Sequence, residues 1–139
     1  MVVPGAGFLN DVAIARKAVY VTDSFGDALT VVALDGAGRP VGEASPLTLV
    51  GDYKQPGGFG ANGIRELPGG DLVLVSGGVL VLRLHRDQAR TIGVLSDEEL
   101  DRPTTGALIG SALYVVNGRF DTLASQPDAQ VHVTKLRLR

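Results

Sequence analysis

Short apolar runs separated by turn residues repeat along the whole chain. Each run is four to eight residues long, the length of a β-strand, and Val, Ile, Leu and Thr dominate the runs. Gly, Asp, Pro or Asn bounds nearly every run, while helical periodicity is almost absent. The pattern predicts strands at 12–15, 18–22, 29–34, 47–50, 63–67, 72–75, 79–84, 90–95, 106–109, 113–116 and 131–138.

The predicted strands fall into three similar units. The units start at Asn10, Asn62 and Thr105, about 52 and 43 residues apart, which is typical of the four-stranded blades of a β-propeller. A fourth strand follows in the first two units but not in the third. We therefore predict an all-β fold, a partial β-propeller of about three four-stranded antiparallel blades. It forms one domain, 1–139, with blade-like repeats at about 8–52, 60–96 and 103–139.

The unit starts are the first candidate functional residues. The first strand of each propeller blade lies against the central axis, so Asn10, Asn62 and Thr105 are expected to approach one mouth of the channel although they are far apart in sequence. The alternative is that Asn side chains at strand starts only hydrogen-bond the local backbone, as in Asx turns.

Composition and charge exclude several functions. The net charge of −2 with both signs interspersed gives no electrostatic footprint for nucleic acid or for an anionic membrane. The absence of cysteine excludes disulfides, thiolate catalysis and Cys-based zinc sites. Residues 1–11 lack the basic and apolar parts of a signal peptide, and no apolar stretch is long enough to span a membrane. These features predict a cytoplasmic location for the chain as given.

Three ordered groups of residues resemble a known family. They are 7–13 (GFLNDVA) with 19–24 (VYVTDS), 51–53 (GDY) with 58–64 (GFGANGI), and 106–108 (GAL) with 113–117 (LYVVN). Together they resemble the SMP-30/gluconolactonase/LRE-like proteins, six-bladed β-propellers whose bacterial members are often secreted. The resemblance covers nearly the whole chain and corresponds to the C-terminal half of the family's fold.

The resemblance implies metal-dependent hydrolysis of lactones or related esters. The family holds a divalent cation, calcium or zinc, with an early Glu, the Asn of an Asn-Gly pair and the Asp of an Asp-Gly pair. That Asp is also the base that activates water. By resemblance, Asn62 matches the metal ligand, and Asn10 and Asp11 match the pair that contacts metal-bound water or substrate. Thr105 takes the place of the Asp, and the early Glu lies outside this chain, so we expect no catalytic residue here and weak or absent metal binding.

Two functional hypotheses remain open from the sequence. One is a lactonase-like hydrolase with impaired activity. The other is a non-catalytic propeller scaffold that binds a small molecule or a protein partner, with the loop that carries Tyr53 and Phe59 as its surface. Three blades leave two apolar faces uncovered, which predicts a homodimer that completes the propeller. A chain that is part of a longer propeller protein is the competing explanation.

Overall fold

The computed structural model describes residues 3, 5–126 and 128–138, with the side chain of 121 left out. Each predicted strand is confirmed, with ends shifted by a few residues, and one short helix is added. The elements are β1 (Leu9–Ile14), β2 (Ala18–Asp23), β3 (Ala28–Leu34), β4 (Pro40–Val50), β5 (Ile64–Glu66), β6 (Leu72–Val75), β7 (Val79–His85), β8 (Gln88–Leu95), β9 (Pro103–Ile109), β10 (Ala112–Asn117), α1 (Phe120–Ser125) and β11 (His132–Arg137).

The strands form three antiparallel blades. Blade 1 contains β1 to β4 and blade 2 contains β5 to β8, each in sequence order. Blade 3 has the order β11-β10-β9 and shows three strands in the described part of the chain, as the sequence predicted. Sequential strands joined by short turns place each blade's first strand at one edge of its sheet. These first strands, β1, β5 and β9, contact one another in turn.

The outer strands of blades 1 and 2 are joined in a way that the sequence did not indicate. Thr48–Val50 of β4 pairs in parallel with Gln88–Arg90 of β8, so the two blades form one continuous sheet of eight strands. Strand β4 is also longer than expected. Most of its residues from Pro40 to Pro46 are exposed and give no apolar run, because an outer strand covers little core.

The hydrophobic core lies on both faces of blade 2. In β6, Leu72 and Leu74 pack towards blade 1, whereas Val73 and Val75 pack towards blade 3. All four side chains are almost completely buried. Burial of each contributes about 1.5–3 kcal/mol, so this strand fixes the spacing between the three blades.

The inner strands approach so closely that one contact requires glycine. A Cβ on Gly63 would lie 2.6 Å from Thr105 Cα, closer than real Cβ contacts allow. The Gly63 N–H donates to the carbonyl of Thr104 at 2.9 Å. Blades 2 and 3 are therefore joined near the axis by backbone contacts as well as by apolar side chains.

Candidate functional site

All three inner strands are irregular at the same end. In β1 the register shifts between Leu9 and Val12, which leaves Asn10 and Asp11 in the bulge. Before β5, the Asn62 N–H donates to the carbonyl of Val75, whose own N–H donates to the carbonyl of Gly63, so both residues lie opposite Val75.

The third inner strand shows the same irregularity. In β9 the register shifts between Thr105, opposite Val116, and Pro103, opposite Asn117. The pairs 10–11, 62–63 and 104–105 therefore occupy equivalent places. The prediction that Thr105 is equivalent to Asn10 and Asn62 is wrong by one residue: Thr104 holds that place, and Thr105 matches Asp11 and Gly63. Bulges of this kind commonly re-aim side chains next to functional sites.

Hydrogen bonds connect the first two irregularities. The hydroxyl of the buried Thr22 accepts from the Asp11 N–H at 2.9 Å and donates to the Asn62 carbonyl at 2.7 Å. The hydroxyl of Ser24 donates to the carbonyl of Ala61 at 2.8 Å. These bonds fix blade 1 against the segment that enters blade 2, so this end of the molecule is a preorganised surface.

Asp11 is the centre of the site. Its Oδ2 accepts from the Arg65 guanidinium at 2.6 Å, from the Ile64 N–H at 3.1 Å and from the Thr105 hydroxyl at 3.4 Å. Its Oδ1 accepts from the Val12 N–H at 2.8 Å. One carboxylate of blade 1 therefore contacts blades 2 and 3. Its negative charge is neutralised by the Arg65 guanidinium of the same chain.

The structure brings the predicted residues together only in part. Asp11 and Thr105 meet directly. Asn10 is exposed, and its amide donates to the Ser24 hydroxyl at 3.0 Å, away from Asp11. Asn62 lies beside the site, and its described hydrogen bonds there are made by its backbone. The roles in substrate and metal binding implied for Asn10, Asp11 and Asn62 stay predictions.

The residues at this end do not form a good site for a divalent cation. Calcium and zinc need several anionic or neutral donors with free lone pairs. Here both oxygens of the Asp11 carboxylate accept N–H groups, and a guanidinium lies where a metal ion would have to approach. Among the described residues, no group of three or more His, Cys, Asp or Glu side chains could hold a metal ion.

Arg65 is the residue of this candidate site that the sequence did not indicate. It lies 54 positions from Asp11, and nothing in the local pattern around it identifies an ion pair between blades. The signal that could have found it is its position: it follows the Asn62–Gly63 pair on an inner strand, where a charged side chain is unusual. Its guanidinium also donates to the Ile64 carbonyl, which fixes its orientation.

A second feature at this end is a group of three phenylalanines, Phe8, Phe25 and Phe59. Their ring centroids lie 5.1 to 5.9 Å apart, although the side chains are 46%, 52% and 64% exposed. The expectation that the loop of Tyr53 and Phe59 is an exposed surface is confirmed for Phe59 and wrong for Tyr53. Tyr53 is buried in the blade 1–blade 2 core, and its hydroxyl donates to the Gly26 carbonyl.

Asp23 holds the loops that carry two of these rings. Its carboxylate accepts from the N–H groups of Gly7, Phe8 and Phe25 at 2.7, 2.8 and 3.0 Å. Burial of the carboxylate acts to raise its pKa, but these three backbone donors outweigh burial and hold the pKa of Asp23 below its ordinary value. Asp23 is therefore ionised in the folded protein at neutral pH.

Comparison with solved structures finds proteins that share this fold. No family model and no curated protein matches the sequence. Among solved structures, the chain is similar to the calcium-binding protein regucalcin from Agrobacterium tumefaciens, with 21% identity and a TM-score of 0.65 over 96% of this chain and 48% of that one. It is also similar to a luciferin-regenerating enzyme, with 16% identity and a TM-score of 0.69 over 95% of this chain and 45% of that one.

The fold is a partial β-propeller. The chain spans about half the length of these two propeller proteins, and at such identities the likeness shows the fold alone. It agrees with the family-level resemblance noted from the sequence. In the described part of this partial propeller, no helix has the length and apolar character needed to cross a membrane.

Proposed function

We propose that this chain is an SMP-30/gluconolactonase-like propeller scaffold that does not carry out metal-dependent lactone hydrolysis and instead binds small polar molecules at the inner-strand end. The observation that carries the proposal is the ion pair between Asp11 and Arg65. The guanidinium supplies a positive charge at the inner-strand end, where the resemblance expects the family's divalent cation. Blade 3 has only threonines, Thr104 and Thr105, at the pair of positions where the resemblance expects the family's catalytic Asp.

The site retains groups suited to binding. The side chain of Arg65 is 34% exposed and that of Asp11 is 24% exposed, so both reach solvent at the inner-strand end. A guanidinium offers several N–H donors in a fixed plane, and the Thr105 hydroxyl both donates and accepts. A polyhydroxylated or carboxylated small molecule matches these groups.

Calorimetric titration with calcium and with zinc, together with a gluconolactone hydrolysis assay, tests whether the chain lacks metal binding and metal-dependent hydrolysis. We expect no binding heat at millimolar metal and no hydrolysis of gluconolactone above the uncatalysed rate. The double change Arg65→Gln with Thr105→Asp removes the guanidinium and places a second carboxylate near Asp11, so it should create measurable calcium binding. Arg83→Gln, at the separate Asp71–Arg83 pair, is the matched control and should bind no calcium.

Chemical-shift changes of backbone amides on addition of gluconate test the binding role. We expect the largest changes at Ile64 and Arg65 and their loss in Arg65→Ala. Metal-dependent turnover of gluconolactone by the unaltered chain would contradict the proposal and favour the hydrolase. Shift changes spread evenly over the molecule would contradict binding at this end.

The exposed phenylalanines favour a second candidate function, the binding of an apolar segment of a protein partner. Aromatic residues held in place by a rigid support are typical of protein interfaces. A phage-displayed peptide selection on the unaltered chain should return aromatic or aliphatic sequences that fail to bind Phe59→Ser. Peptides that bind Phe59→Ser as well as they bind the unaltered chain would contradict this candidate.

A further inference from the structure

Strand β6 shows how a strand of this fold is packed when both of its faces are covered. The equivalent strands of the other blades have one covered face each. In β2, Tyr20 packs towards blade 2, and the alternate residues Val19 and Val21 point to the opposite face. In β10, Leu113 packs towards blade 2, and its neighbour Tyr114 points away.

Two apolar surfaces result, one at each end of the row of blades. The blade 1 face is formed by cross-strand pairs of β1 and β2: Val12 with Val21, and Ile14 with Val19. The blade 3 face contains Ala107, Ile109, Tyr114, Val116 and Val133 on its apolar part. Its outer strand β11 adds Lys135, whose ammonium lies over the Tyr114 ring, and Arg137. Both are substantially open, since Ile14 is 77% exposed and Ile109 is 65% exposed. No blade packs on either face within the described residues.

The blade 3 face repeats the surface that blade 1 presents to blade 2. In blade 1, Ala13 lies directly opposite Tyr20, and this pair packs into the core shared with blade 2. In blade 3, Ala107 lies directly opposite Tyr114 in the same arrangement. The first two strands of blade 3 therefore repeat the surface that packs against a following blade, whereas its third strand has Lys135 where blade 1 has Val31.

The blade 1 face repeats the surface of blade 2 on which the Ala13–Tyr20 pair packs. In blade 2 the Tyr20 side packs on Leu72 and Leu74, and Leu74 lies opposite Ile64 on the inner strand. The same positions of blade 1 carry Val19, Val21 and Val12. The two free faces are therefore complementary in kind, but they lie at opposite ends of one chain and cannot meet within it.

We propose that a second copy of this chain covers both faces, with blade 3 of each copy packed on blade 1 of the other. A two-fold axis along the propeller axis closes such a ring without leaving an apolar face free. The second copy also brings its own Asp11–Arg65 pair to the opposite side of the same channel end. The inference is independent of the proposed ligand, because it rests on the two faces alone.

Sedimentation velocity and multi-angle light scattering at micromolar concentration test the assembly. We expect a mass about twice the 14.4 kDa of one chain. Tyr114→Glu alters the blade 3 face and Val21→Lys alters the blade 1 face, and each variant alone should be monomeric. An equimolar mixture of the two should recover the dimer. The mixed dimer has two contacts between blade 3 of one copy and blade 1 of the other. One contact is unaltered, and the other places the introduced Glu against the introduced Lys.

The mixture separates this head-to-tail arrangement from others. A symmetric contact of blade 1 with blade 1, or of blade 3 with blade 3, cannot place the Glu against the Lys, so recovery of the dimer would not occur. Val41→Lys, at an exposed position of the outer strand β4, is the control and should leave the mass unchanged. If Tyr114→Glu fails to fold by circular dichroism, Ile109→Lys tests the same face.

A folded, unaltered chain that remains monomeric at 100 micromolar would overturn the proposal. Tyr114→Glu or Val21→Lys variants that remain dimeric would also overturn it. So would a mixture of the two variants that stays monomeric.

Discussion

Replacement of the Asp23 carboxylate is predicted to destabilise the fold more than any exposed acidic substitution. Asp23→Ala removes the acceptor for three backbone N–H groups, of Gly7, Phe8 and Phe25. A hydrogen bond to a charged group contributes about 1.5–3 kcal/mol, but the donors here lie in partly exposed loops that water can reach. We therefore expect a loss of about 2–4 kcal/mol in the free energy of unfolding, below the sum of three such bonds.

The pH dependence of this loss has a definite sign. The folded pKa of Asp23 lies below its unfolded value, which is about 3.9. The carboxylate therefore contributes its full stability above the unfolded pKa, and that contribution disappears as the pH falls through the folded pKa. The difference in stability between the unaltered chain and Asp23→Ala should be constant from pH 5 to 7 and shrink below about pH 4.

Urea unfolding followed by far-ultraviolet circular dichroism, at one protein concentration, measures both effects. Asp71→Ala is the matched control, because Asp71 pairs with Arg83 on the surface and should change stability little. Equal losses for Asp23→Ala and Asp71→Ala would refute the reasoning. A difference between the unaltered chain and Asp23→Ala that stays the same from pH 7 to 3 would refute it as well.

Three further substitutions probe the core and the inner strands. Gly63→Ala should cost about 1–3 kcal/mol in urea unfolding because its Cβ has no space beside β9, whereas Gly78→Ala, with nothing within 4 Å, should be tolerated. Leu74→Ala should lose about 2–5 kcal/mol by opening a cavity in the blade 1–blade 2 core. Asn117→Ala should lose about 1–3 kcal/mol, because the Asp101 N–H loses its acceptor and the buried Thr134 hydroxyl, which still donates to the Glu99 carbonyl, loses its donor. Calorimetric melting checks Leu74→Ala and Asn117→Ala.

The fold was largely predictable from the sequence because strand length, turn residues and repeat spacing all point to blades. The elements that were missed lack those signals. The first half of β4 is largely exposed. Arg119, the residue before α1, has a left-handed conformation (φ 48°) and its side chain does not cap the helix. Helix prediction depends on capping residues and apolar periodicity, and a six-residue helix provides neither.

The candidate site was predictable only as a region. The repeat placed Asn10, Asn62 and Thr105 near one end of the inner strands, and the structure confirms that end but shifts the third unit by one residue, so that Thr104 is the equivalent of Asn10 and Asn62. The pairing of Asp11 with Arg65 depends on how neighbouring blades pack, and one residue of register decides which side chain faces the axis. A single sequence carries no information on that register between blades.

The convergence of the inner strands on one axis is the central claim of this account, and a nuclear Overhauser measurement tests it most directly. Because a Cβ on Gly63 would lie 2.6 Å from Thr105 Cα, the α protons of these residues must be close neighbours. We predict a strong cross-peak between the α protons of Gly63 and Thr105, together with slow exchange of the Gly63 amide proton. The absence of that cross-peak, in a spectrum that shows the cross-strand contacts within β9 and β10, would contradict the account.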